Sequence, residues 1–161
     1  MPSSLLSVEQ ILALLAETPT RITALTADVV PARLHAAPDP GEWSANDVLA
    51  HLRSCADVWG ESIRTILAED VPTIRAVNPR NWITRTDYPQ LRFRTSLRAF
   101  AKQRADLLAV LEPLPPDGWS RAARVTGAGS PLELTVFSYA QRMARHERAH
   151  VKQIGHIVKE R

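Results

Sequence analysis

Four stretches of this chain set apolar residues at alternating steps of three and four, the spacing that gathers side chains onto one face of an α-helix. The first runs through Val8, Ile11, Leu15, Thr18, Ile22, Leu25 and Val29. Pro19 falls inside it and predicts a kink or a division, because proline lacks a backbone donor and crowds the preceding turn. The proline-rich connection PARLHAAPDPGEW follows, with room for one short helical turn. Ser44 then opens the capping-box pattern SAND, with Asp47 in the acidic place, so a second helix is expected there. Its stripe is Val48, His51 or Leu52, Cys55, Trp59, Ile63 and Ile66.

Pro72, Asn78 and Pro79 mark a long linker, after which Asp87 or Thr86 is expected to cap a third helix carrying Phe93, Leu97, Phe100, Leu107 and Leu111. Beyond EPLPPDG, the glycine-rich segment WSRAARVTGAGSPLE could form an irregular hairpin but holds too few β-type residues to found a sheet. Ser130, Pro131 and Glu133 predict the start of the fourth helix. That helix carries Leu132, Val136, Tyr139 or Ala140, Met143, His146, His150, Ile154 and Ile157. The expected fold is all-α: an up-down four-helix bundle with one or two long connections, formed as a single domain over residues 1–161.

Cys55 stands alone, which suits a reducing, cytoplasmic setting. The N-terminal stretch MPSSLLSVEQILALL has no basic leader before its apolar residues, so no secretory signal is expected, and no apolar run is long enough to cross a bilayer. The formal charge is +3, with basic residues spread among acidic ones, so nucleic acid is not an expected partner. Arginine is densest between Arg75 and Arg98, at Arg80, Arg85, Arg92 and Arg94. Its planar fork there could hold a carboxylate or phosphate, although a solvated surface is the simpler reading.

The segment HERAHVKQIGH, residues 146–156, fits the H-E-x-x-H pattern of zinc peptidases, and His156 falls where a metzincin has its third ligand. The match fails in detail. Gln153 occupies the place of the glycine at which a metzincin helix must turn, and on an unbroken helix His156 points about 120° away from His150. A zincin peptidase is therefore not expected. His146 and His150 are nevertheless one turn apart on an apolar stripe, and His51 sits on or beside another. Imidazoles aimed at one interior need partners, which a shared metal would supply. Glu147, about 100° around the helix from His146, is expected to face solvent or to support the ligands from behind. Cys55 shares the face of His51 as a fourth ligand or, more simply, a small buried hydrophobe. Asp47 is expected to cap its helix rather than orient His51, and Trp43 and Trp59 to pack the bundle. His35 and His156 have no role beyond surface or local hydrogen bonding.

The segment GEWSANDVLAHL, followed far downstream by RHERAHVKQIGHI, resembles the DinB/YfiT-like family of candidate metalloenzymes. The resemblance covers nearly the whole chain, including LLAETPTRITAL and the Trp119–Ser120 step. It implies a four-helix bundle and a divalent transition metal, zinc or nickel, held by His51, His146 and His150. It also implies a metal-dependent enzyme: a thiol-dependent transferase or isomerase using a low-molecular-weight thiol such as bacillithiol or mycothiol, or a hydrolase. The expected partners are a small-molecule substrate or thiol and a second copy in a homodimer. The alternative is a non-catalytic metal-binding or stress-associated dimeric bundle.

Overall fold

The computed structural model describes residues 5–159; residues 1–4, where the stretch read above for a secretory signal begins, lie outside the described residues, as do 160 and 161. Four long helices form the bundle: α1 (Val8–Thr26), α3 (Ala45–Ala68), α5 (Phe93–Leu111) and α7 (Val136–Lys159). Short helices α2 (Pro31–Leu34), α4 (Pro79–Trp82) and α6 (Pro116–Trp119) sit in the connections. No helix among the described residues is long and apolar enough to cross a membrane.

The capping box at Ser44 forms as expected, with the Ser44 hydroxyl accepting from Asp47 N and the Asp47 carboxylate accepting from Ser44 N. The third helix starts later than expected. Asp87 and Thr86 do not cap it; residues 83–85 and 88–90 form 3-10 turns instead, and α5 begins at Phe93. Arg92 at its N-cap offers no side-chain bond, and the free N–H of Phe93 donates to His35 Nε2 at 3.2 Å, which gives His35 a role.

The expectation of no sheet is also corrected. Thr73–Arg75 (β1) pairs parallel with Ala122–Thr126 (β2), which pairs antiparallel with Leu132–Thr135 (β3). The parallel partner comes from the linker after α3, about fifty residues upstream, so no local pattern announces it. Gly127 and Gly129, at φ +87° and +83°, allow the turn between β2 and β3. The fourth long helix therefore starts at Val136 and not at Pro131. Its cap is Thr135, whose hydroxyl accepts from Ser138 N at 3.0 Å while Ser138 Oγ accepts from Thr135 N at 2.7 Å.

Pro19 does not divide α1, which stays continuous from Val8 to Thr26. Proline has no N–H for the carbonyl four residues back, and Arg104 Nη1 donates to that carbonyl, Leu15 O, at 2.9 Å. Arg104 is 2 % exposed and forms a two-pronged pair with Glu147, which is 1 % exposed; Thr18 Oγ1 adds a bond to Glu147 Oε1 at 2.9 Å. These polar residues lie between two apolar clusters. One gathers Leu15, Ile63, Leu107 and Met143 with the sheet residue Val125; the other gathers Ile22, Leu52, Phe100 and Val151.

Truncating one partner of a buried ion pair strands the other charge. Arg104→Met should lower unfolding stability by about 3–5 kcal/mol, and Arg104→Met with Glu147→Leu should recover much of that loss. Urea denaturation followed by circular dichroism checks both; equal losses in the single and double variants would show that the pair is not the source.

Candidate metal centre

The polar layer brings α3 and α7 together at three histidines. Because His51 lies about two turns beyond the capped start of α3 and its helix packs on α7, its ring meets those of His146 and His150 with centroids 5.0 Å from each. The α7 rings are 4.4 Å apart. His51 Nε2 is 3.1 Å from His146 Nε2, and His150 Nε2 is also 3.1 Å from His146 Nε2.

These contacts can be tested by placing protons. His150 Nδ1 lies 2.7 Å from Gln153 Oε1, an oxygen that only accepts, so His150 carries its proton on Nδ1 and presents a lone pair at Nε2. A proton on His146 Nε2 would have to be split between two acceptors. Without it, two lone pairs face each other across the contact with His150. A cation at the point of convergence accepts all the lone pairs. The spacing also fits: metal–nitrogen bonds of about 2.0–2.1 Å place neighbouring donors about 3.0 Å apart at right angles and about 3.4 Å apart in a tetrahedron. His146 has no counterpart to Gln153, for its Nδ1 is buried without a hydrogen-bond partner.

Cys55 belongs to this group. The donor atoms of His51, Cys55 and His146 all lie within 4.8 Å of one another, and Cys55 Sγ is 3.6 Å from His51 Nε2. A tetrahedral zinc with one sulfur and one nitrogen donor would separate them by about 3.5 Å. The three-histidine set expected from the sequence is therefore not the tightest set of donors: Cys55 stands with His51 and His146, and His150 joins through His146. Cys55 is buried, as a small hydrophobe would be, and stands within reach of the histidine donors.

Burial, and then the nearby His150, hold His51 and His146 down to about 4, with Arg80 adding to the effect on His51 and His51 to that on His146. Both rings are thus neutral near pH 7, as ligands must be. Burial and then Glu147 push the Cys55 thiol up to about 12, with Arg80 opposing them. Glu147 itself does not face solvent and is no free base, since both its oxygens are taken by Arg104. This removes the one carboxylate that the H-E-x-x-H pattern would use. His156 is exposed and outside the cluster, and Asp47 caps without touching His51.

The model of the DinB superfamily matches residues 14–154. The chain belongs to the DinB superfamily. Among solved structures it is similar to YfiT from Bacillus subtilis, described as a probable metal-dependent hydrolase with an unusual four-helix bundle topology. The identity is 18 %, the match covers 99 % of this chain and 91 % of that one, and the TM-score is 0.81, a likeness of fold. No curated protein matches the chain in sequence.

In this DinB-superfamily chain the tryptophans do more than fill space. Trp43 lies 5.1 Å from the His51 ring and stacks at 18° on His150, and Trp59 meets His146 edge-on at 5.2 Å. A cavity of about 250 Å³ opens beside His51, between Trp43, Arg80, Ile83 and Pro89. Two larger ones, each about 630 Å³, lie along α3 at Asp57 and Gly60 and between Trp43, Gln153 and His156; neither is lined by a clustered donor, whereas the smaller cavity is lined by His51. Gln153 and Arg80 are the residues that the sequence reading did not assign to the centre. Gln153 follows His150 by three positions, a helical neighbour, which is the signal that could have found it.

For the metal-free protein the depressed pKa values set a direction. Above about pH 6.5, the unfolded value, both rings are neutral folded or unfolded and their contribution to stability is fully present. As pH falls from there towards about 4, the unfolded chain takes up protons that the folded one refuses, and stability is lost. The urea midpoint should therefore fall between about pH 6.5 and pH 5, and fall less in a His51→Asn, His146→Asn variant. Identical slopes would contradict the burial effect.

Proposed function

We propose that this chain is a metal-dependent enzyme in which His51, His146 and His150 hold a divalent transition ion, zinc or nickel, through their Nε2 atoms. The observation that carries this reading is the pair of 3.1 Å contacts converging on His146 Nε2, which one proton cannot serve at full strength. When bound, such an ion supplies the Lewis acidity that makes water or a substrate thiol nucleophilic near neutral pH.

The chain's own residues do the rest. Gln153 fixes the tautomer of His150 and aims its lone pair inward. Trp43 and Trp59 exclude water from the rings they cover. The cavity beside His51 gives a small molecule access. The reaction we assign is hydrolysis, or transfer to a low-molecular-weight thiol. The likeness to YfiT, a probable metal-dependent hydrolase, supports the hydrolytic form. A second reading, a closed metal site without catalysis, is favoured by Cys55: a thiolate joining three imidazoles would fill a tetrahedral sphere.

Protein purified without a histidine tag should carry about one zinc or nickel ion per chain by elemental analysis. His150→Ala should abolish stoichiometric uptake with helical content unchanged; full uptake by that variant would sink the assignment. Gln153→Leu, which keeps all the donors, should weaken metal affinity about 10- to 100-fold in a competition titration against a chelator. The closed-site reading is checked with Cys55→Ser: a site that uses the thiol loses metal, whereas an open three-histidine site keeps it and still binds an added thiol.

A further inference from the structure

The wall of the cavity beside His51 carries one cation, Arg80, and one carboxylate, Asp47, which form no ion pair with each other. Arg80 lies on α4, where the Asn78 side chain accepts from its backbone N at 2.9 Å. Its guanidinium stands 5.3 Å above the Trp43 ring, which in turn lies 5.1 Å from His51. Among the described residues, no ion pair involves Arg80. Asp47 is in the same wall, but its carboxylate is turned to the backbone N–H of Ser44.

The segment carrying Arg80 is moored. Asp57 on α3 accepts from Trp82 Nε1 at 3.0 Å, from Tyr88 OH at 2.6 Å and from Gln103 Nε2 at 2.5 Å, which ties residues 82 and 88 to α3 and α5. Arg80 is thus presented at the mouth by a segment anchored two residues further on. Across from it, Ala50, Ile83 and Pro89 give apolar contact.

We propose that Arg80 selects the charge of the substrate: the cavity takes a short-chain carboxylate, its anion on the Arg80 guanidinium and its reacting end towards His51. A guanidinium fork matches a carboxylate through two parallel hydrogen bonds. A phosphate fits less well, since one arginine with Asp47 close by offers too little positive charge for a dianion. The volume, about 250 Å³, is below the roughly 300–1,000 Å³ of sites for drug-sized ligands and limits the chain to a few carbons. The capture of the anion stands on Arg80 and the cavity alone; the orientation of the reacting end rests on the metal reading above.

The test uses 3-mercaptopropionate and its uncharged counterpart 3-mercapto-1-propanol. In cobalt-loaded protein, the thiolate-to-cobalt absorbance should report binding of the acid about tenfold tighter than of the alcohol. Arg80→Met should erase that preference, leaving cobalt content and the affinity for the alcohol unchanged, and Arg80→Lys should restore part of it. Equal binding of the two thiols by the unsubstituted protein, or a preference that survives Arg80→Met, overturns the proposal while leaving the metal reading intact. If the protein takes up no cobalt, the metal reading falls by itself. The metal-free protein then decides the present inference through the tryptophan emission to which Trp43 contributes: quenching by the acid that needs Arg80 upholds it, and its absence overturns it.

Discussion

A buried guanidinium with acceptors on three sides organises the middle of this bundle. Arg104 takes the carbonyl of Leu15 that Pro19 leaves without a donor, and its charge is met by both oxygens of Glu147. Removing two charges from water costs several kcal/mol each, so the pair is tolerable only because these bonds, and that from Thr18, meet its hydrogen-bonding needs. Three helices are joined at one point. Glu147 is also the neighbour of His146, and a carboxylate directed at α5 sets the rotation of α7 about its axis. The histidines on the adjoining face are thereby turned towards α3, where His51 meets them.

The layer has a second effect. It divides the apolar interior into two clusters, one around Leu15, Ile63 and Leu107 and the other around Ile22, Leu52 and Phe100, with the polar groups between them. Groups in such a place are shielded on both sides, which explains why burial dominates the shifts at His51, His146 and Cys55. The rings are kept neutral with lone pairs available, whereas the thiol is kept protonated. Near neutral pH, the imidazoles are thus ready to coordinate and the sulfur must first lose a proton.

Much of this was legible because it is periodic. The four stripes and the Ser44 cap follow from spacing along single helices, whereas the grouping of His51 with His146 and His150 was implied by the family resemblance. What was missed depends on pairs distant in the chain. Strand β1 is three residues long and gains its partner from across the bundle, and the false helix start at Ser130 has the same letters as a true cap but lies in the turn before a strand. Glu147 looked solvent-facing because its angle from His146 was known and its partner was not. That partner was visible in outline: Arg104 occupies the helical place between Phe100 and Leu107, a charged residue on an apolar stripe. The donor rank of Cys55 could not be read at all, since it depends on how far α3 and α7 stand apart.

Asp57 alone receives the donors of Trp82, Tyr88 and Gln103, and none of the clustered imidazoles rests on that carboxylate. The rim of the small cavity thus has a mooring of its own, set on the same helix as His51 and Cys55. Exchanging the side chain at 80 or 83 would therefore reshape the entrance while every clustered donor stays in place.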